Sequence, residues 1–166
     1  MPHCYIALGS NQADPVAQVT RALTALAALP QTRLLDHSSL YRSAPLGPQD
    51  QPAFLNAVAL LETELEPESL LDALQDIELQ AGRVRKAERW GPRVLDLDIL
   101  LYGDRQIDTP RLQVPHYHMH ARSFVLYPLA ELTADLIMPD GTPLQSLLQH
   151  CPDTGLERLC GTAGRA

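Results

Sequence analysis

The order of apolar segments constrains this chain most. Residues 4–9, Cys-Tyr-Ile-Ala-Leu-Gly, are apolar and run into Gly-Ser-Asn, the pattern of a short buried strand entering a turn. Asp14-Pro15 has the form of a helix N-cap followed by proline at the first helical position. Val16, Val19, Leu23, Leu26 and Leu29 then recur at helical spacing until Pro30. Residues 33–41 and 54–64 read as strands. Glu66-Pro67 opens a second helix that carries Leu70, Leu71, Leu74, Ile77 and Glu78 and ends near Gly82; Val94–Tyr102 reads as a further strand. Helices follow from about Ala121 to Glu131 and at residues 143–149. This order predicts an α+β fold: a ferredoxin-like βαββαβ core with an antiparallel sheet, helical additions and long mobile loops. The 166 residues suit a single domain, and the stretch after about Cys151 is weakly patterned and reads as a loosely ordered tail. Such folds host many functions, so function must be read from particular residues.

The formal net charge of −7 fits poorly with binding a nucleic-acid backbone or anionic lipid. Cys4, Cys151 and Cys160 form no Cys-x-x-Cys pair, which suits a reducing compartment and ordinary thiols. The N-terminus reads as a first strand and not as a signal peptide, and no apolar run is long enough to span a membrane. The expectation is a cytoplasmic monomer acting on small molecules, without nucleic-acid or membrane partners.

Within the strand ending at Tyr102, alternate side chains share a face, so Asp96 and Asp98 point the same way while Leu97, Ile99 and Leu101 point to the opposite face. Two carboxylates in an apolar strand need compensation. Arginines or a divalent cation would supply it, and magnesium favours one or two protein carboxylates together with water and substrate phosphates. An isolated Asp-x-Asp is as readily a solvated strand edge; the apolar neighbours and the preceding arginines shift the balance toward metal.

Those arginines lie in one segment: Arg83, Arg85, Lys86, Arg89 and Arg93, with Trp90, Gly91 and Pro92 among them. Metal for bridging oxygens and arginine forks for the remaining phosphate charge is the arrangement nucleotide chemistry requires. Glycine and proline bound the segment as a movable lid with Trp90 closing over a ligand. A solvated basic loop paired with Glu78 and Glu88 is the plainer alternative, and RNA binding a third, weakened by the overall acidity. Gly9-Ser10-Asn11 lacks the lysine and spacing of a Walker phosphate loop, so side chains and metal must hold the phosphates. His116, His118 and His120 alternate, but structural zinc wants four closed ligands and no cysteine is near.

Taken together, the chain resembles the 6-hydroxymethyl-7,8-dihydropterin pyrophosphokinase family. The resemblance rests on Tyr5–Asn11, Ser43–Pro48, Gln51–Ala57, the run Gly82–Arg93 continuing through Leu95–Ile99, Val114–Tyr117 and Arg122–Leu126. It covers nearly the whole chain to about residue 150, and the Arg-Trp-Gly-Pro-Arg to Asp-x-Asp block is highly specific. It implies that the exocyclic hydroxyl of a pterin attacks the β-phosphorus of ATP and releases AMP, with two Mg2+ ions. By position, Asp96 and Asp98 match the metal-binding aspartates, Asp98 being also a candidate to take the hydroxyl proton. Arg83 and Arg93 match phosphate-contacting lid arginines and Trp90 the lid tryptophan. Gln75, Glu78, Ile99, Arg111, Leu112, His116, Tyr117 and Arg122 match ATP-site positions. Asn56 matches the amide that reads the mixed donor–acceptor pterin edge. Phe54 and Phe124 match the two aromatic walls around the ring. Ser43, Ala44 and Leu46 match loop positions whose backbone meets it. Gln113 falls where a smaller hydroxyl residue is common. Two other functions compete: a non-catalytic nucleotide- or RNA-binding module, which would expose aromatics on a basic sheet face, and a hydrolase using the same aspartates without a pterin acceptor.

Overall fold

The computed structural model describes residues 2–10, 15–43, 54–81, 95–115, 123–151 and 156–158, with Ser43 and Glu157 described by their backbone alone. In chain order the elements are β1 (His3–Ser10), α1 (Pro15–Ala27), β2 (Thr32–His37), β3 (Tyr41–Ser43), β4 (Phe54–Thr63), α2 (Pro67–Gln80), β5 (Asp96–Tyr102), β6 (Ile107–Asp108), β7 (Gln113–Val114), α3 (Ser123–Leu132), α4 (Leu144–Gln149) and β8 (Leu156–Arg158). The main sheet runs β5-β1-β4-β3-β8, with β2 also on β4. All its pairings are antiparallel. With β1 between β4 and β5 and β2 outside β4, this is the ferredoxin-like order that the sequence predicts. The predicted mobile loops fall on stretches outside the described residues.

The single strand expected over 33–41 is two strands. Thr32–His37 pairs with Ala59–Thr63, and Tyr41–Ser43 pairs with Phe54–Asn56. The step between them falls at Ser38. Its N–H donates to the Val58 carbonyl at 2.8 Å, and its Oγ accepts from the Val58 N–H at 2.9 Å. A serine hydroxyl replaces one rung of the ladder, the usual way short polar side chains interrupt regular pairing.

Helices α1 and α2 cover one face of the sheet. Ile6 and Leu8 from β1, Leu61 from β4 and Leu97 and Ile99 from β5 pack there with Leu26, Leu70 and Leu74. Helix α3, backed by α4, covers part of the other face, over Tyr5, Val58, Leu100 and Leu101. The placement of Leu101 corrects the strict alternation expected in β5. The register shifts between Tyr5 and Ile6, which pair with Leu101 and Ile99, so Leu100 is an extra residue. This bulge turns Leu101 onto the α3 face. Cys4 is fully buried, and burial pushes its thiol up to about 12, as expected of an inert core cysteine. Strand β8 and the β6–β7 ribbon fall on segments where the sequence pattern shows no element. Among the described residues, no helix is long and apolar enough to cross a membrane.

Candidate active site

One cross-strand row organises the site. Asp96 pairs with Gly9, Gly9 with Asn56, Asn56 with Tyr41, and Tyr41 with Arg158. Directly opposed residues of antiparallel strands project from the same face. The acidic pair, Asn56 and Phe54 therefore all belong to the α3 face. Asp98 lies one step further along, opposite Ala7, and Phe54 lies opposite Ser43.

Gly9 is the gap in this row. A Cβ there would come within 3.3 Å of Asn56 Oδ1. With no side chain at Gly9, the Asn56 amide oxygen lies close over that position, and the Asp96 and Asn56 backbones stand about 10 Å apart at two strand spacings. Asn56 is buried, and its Nδ2 donates to the Phe54 carbonyl at 3.4 Å. Phe124 stands in the first turn of α3, half-buried against the cluster under that helix. The helix is held over β3 by a carboxylate. Glu131 accepts from the Tyr41 hydroxyl at 2.8 Å, and Ser39 donates to it from both its N–H and its hydroxyl, each at 3.0 Å.

Of the ATP-site candidates, Glu78 and Ile99 meet at the outer edge of β5. Glu78, on α2, is 1% exposed. Its Oε2 accepts from the Leu97 N–H at 2.8 Å. A buried carboxylate thus caps the edge strand at the residue between the two aspartates. Because Leu97 directs its N–H outward, Ile99, two residues on, directs its backbone groups to the same edge while its side chain is in the core. Gln75 is half-buried on α2, and Leu112 is buried in the same core as Ile99. Arg111 forms ion pairs with Glu68 at 3.4 Å and Asp72 at 2.5 Å in the first turns of α2. Hydrogen bonding to Asp72 raises its pKa. Gln113 is exposed on β7. Arg83, Arg93, Trp90, Ala44, Leu46, His116, Tyr117 and Arg122 lie outside the described residues.

Sequence reasoning missed the Ser39, Tyr41 and Glu131 cluster. Its signal was present: Glu131 sits seven residues, two helical turns, after Phe124, on an otherwise apolar helical face.

Two carboxylates side by side on one strand face match the sparse protein ligand set that Mg2+ accepts when phosphates complete its shell. The class is therefore an α+β enzyme built for metal-assisted transfer of phosphate groups, on a ferredoxin-like sheet. The family model of 7,8-dihydro-6-hydroxymethylpterin-pyrophosphokinase (HPPK) matches residues 5–134. A 2-amino-4-hydroxy-6-hydroxymethyldihydropteridine pyrophosphokinase from Pseudomonas aeruginosa is 62% identical over 157 residues, covering 95% of this chain and 96% of that protein. The protein of the same name from Haemophilus influenzae is 52% identical, covering 93% and 96%. Among solved structures, the wild-type HPPK-DHPS of Plasmodium falciparum with pteroate superposes with a TM-score of 0.71 at 13% identity. That match covers 90% of this chain and 42% of the longer one, and supports the fold alone. The chain belongs to the 7,8-dihydro-6-hydroxymethylpterin-pyrophosphokinase family, enzymes of pyrophosphoryl transfer in folate biosynthesis that use ATP as co-substrate. This membership does not favour the non-catalytic binding module weighed above.

Proposed function

We propose that this chain transfers a pyrophosphoryl group from ATP to the hydroxymethyl oxygen of 6-hydroxymethyl-7,8-dihydropterin. The hydroxyl oxygen bonds to the β-phosphorus, the bond from that phosphorus to the oxygen bridging it to the α-phosphate breaks, and AMP leaves. The observation that carries this reading is the Asp96–Gly9–Asn56 row: carboxylates at one end, a pterin-reading amide at the other, and a residue without a side chain between them.

Asn56, flanked by Phe54 and Phe124, orients the flat ring so that its hydroxymethyl arm points along the row toward Asp96 and Asp98. ATP lies along the outer edge of β5, contacted by Gln75, Glu78, Ile99, Arg111 and Leu112. Asp96 and Asp98 would hold two Mg2+ ions, which when bound neutralise charge on the transferring oxygens. Asp98 receives the hydroxyl proton. Arg83, Arg93, Arg122, His116 and Tyr117 complete the phosphate and nucleotide contacts, Trp90 closes over them, and Ser43, Ala44 and Leu46 border the pterin. The chain works as one domain and a monomer in the cytoplasm, without nucleic-acid or membrane partners.

The test is an assay of AMP formation with ATP, Mg2+ and hydroxymethyl-dihydropterin. Pterin-dependent AMP from the wild type, lost in Asp98→Ala, is the expected result. Well-folded wild type that forms no pterin-dependent AMP would refute the reading.

A further inference from the structure

Glu131 lies outside every group of residues assigned above to substrate or metal, yet both of its carboxylate oxygens accept hydrogen bonds. Its side chain is 11% exposed. It accepts from Tyr41 Oη, Ser39 N and Ser39 Oγ at 2.8 to 3.0 Å. Arg158 Nη2 stands 3.8 Å from its Oε2, and Arg158 Nε donates to Ser39 Oγ at 3.3 Å. The cluster therefore ties α3 through Glu131, β3 through Tyr41 and the β2–β3 link through Ser39, and the C-terminal strand β8 through Arg158.

Each tie lies next to a residue assigned to the pterin. Tyr41 is the direct cross-strand neighbour of Asn56, and Ser43, two residues on, is the neighbour of Phe54. Glu131 shares a helical face with Phe124, about 10.5 Å along α3. Pro128 lies between them inside the helix and provides no N–H for the Phe124 carbonyl.

We propose that Glu131 is a positioning residue for the pterin end of the site. Through Tyr41, Ser39 and Arg158 it fixes α3 on β3, and so sets the spacing of Phe124 from Phe54 and Asn56. Strand β8, at the weakly patterned end of the chain, is then a working part of the pterin site. The proposal rests on the assignment of Asn56, Phe54 and Phe124 to the pterin.

The experiment measures two affinities for full-length wild type, Tyr41→Phe, Glu131→Gln, Arg158→Ala, Arg158→Lys and, as a reference, Asn56→Ala. One is for a non-hydrolysable ATP analogue with Mg2+. The other is for hydroxymethyl-dihydropterin with that analogue saturating. Tyr41→Phe removes one oxygen and keeps the packing, so it remains informative if a Glu131 variant fails to fold. Expected is about a tenfold weaker pterin affinity in Tyr41→Phe and Glu131→Gln, the size of one charge-assisted hydrogen bond, with analogue affinity within about twofold. Arg158→Ala should lose less, and Arg158→Lys should recover part of that loss. Unchanged pterin affinity in Tyr41→Phe and Glu131→Gln alongside a loss in Asn56→Ala overturns the positioning role alone. Equal losses for both ligands reduce Glu131 to general scaffolding and also overturn it. No pterin binding by wild type, or none lost in Asn56→Ala, overturns both the role and the assignment beneath it.

Discussion

The two faces of the sheet divide the work of this protein. On the α1/α2 face, Ile6, Leu8, Leu61, Leu97 and Ile99 meet Leu26, Leu70 and Leu74 in a predominantly aliphatic core, and the buried Glu78 caps the Leu97 N–H. On the α3 face, Tyr5, Val58 and Leu101 are packed apolar residues toward one end, while Asp98, Asp96, Gly9 and Asn56 occupy the same strands toward the other. The same three strands build both faces. What differs is coverage: α1 and α2 bury their face, and α3 buries only part of its own. Asp96 and Asp98 are half-buried, and the buried Asn56 amide is hydrogen-bonded to the Phe54 carbonyl, so none of them meets the full desolvation cost of an unpaired group in a dry contact. The candidate site lies on this face beside the apolar cluster under α3.

Four perturbations sharpen or break that contrast, the largest first. Leu70→Ala, in the dry face, should destabilise by about 2–5 kcal/mol through lost contacts and a cavity. Denaturant unfolding should report this while KM for both substrates in the folded fraction stays near wild type; a KM change would mean that the faces are coupled. Asp98→Asn should lower kcat by about 10²–10³-fold, the scale of removing one preorganised electrostatic group, with Tm barely altered. Glu78→Leu should cost about 1–3 kcal/mol by leaving the Leu97 N–H buried without this acceptor. If the cap also aligns the acidic pair, kcat falls with it; stability loss at unchanged kcat confines Glu78 to the scaffold. Gly9→Ala should raise pterin KM by about 2- to 10-fold, the effect of forcing the Asn56 amide off its rotamer, and leave ATP KM alone.

A pH effect separates the faces as well. Burial raises the Glu131 pKa, but the hydrogen bonds from Tyr41 and Ser39 and the Arg158 charge outweigh it, and the net shift is downward. A folded pKa below the unfolded one gives stability that is fully present above the ordinary carboxylate range and lost as pH falls through and below it. Glu131→Gln should therefore flatten the acid side of the stability profile, measured by Tm against pH. An identical slope in the variant would show that Glu131 is not linked to folding.

Much of this was legible in the residues. Helix α2 could be placed from Glu66-Pro67 and its leucine spacing because proline at a helix start and a 3.6-residue period are local signals. The acidic pair could be placed on one strand face for the same reason. The break at Ser38 was not legible, since it depends on the Val58 backbone twenty residues away. Nor was the Leu100 bulge, which is a property of β1 and β5 together. Strand β8 is three residues long and has no period to detect; its pairing exists only because β3 offers an edge.

The sequence by itself determined the family, the element order and the chemical types at the site, since these depend on residue identity and short-range spacing. Only the tertiary structure decided that Asp96, Gly9, Asn56, Tyr41 and Arg158 stand in one row, and that Glu131 closes on that row from α3. Strand register and helix docking are set by contacts between residues as much as 119 positions apart, such as Arg158 and Ser39. Such contacts depend on the summed packing of whole faces, which leaves no mark on any short stretch of sequence.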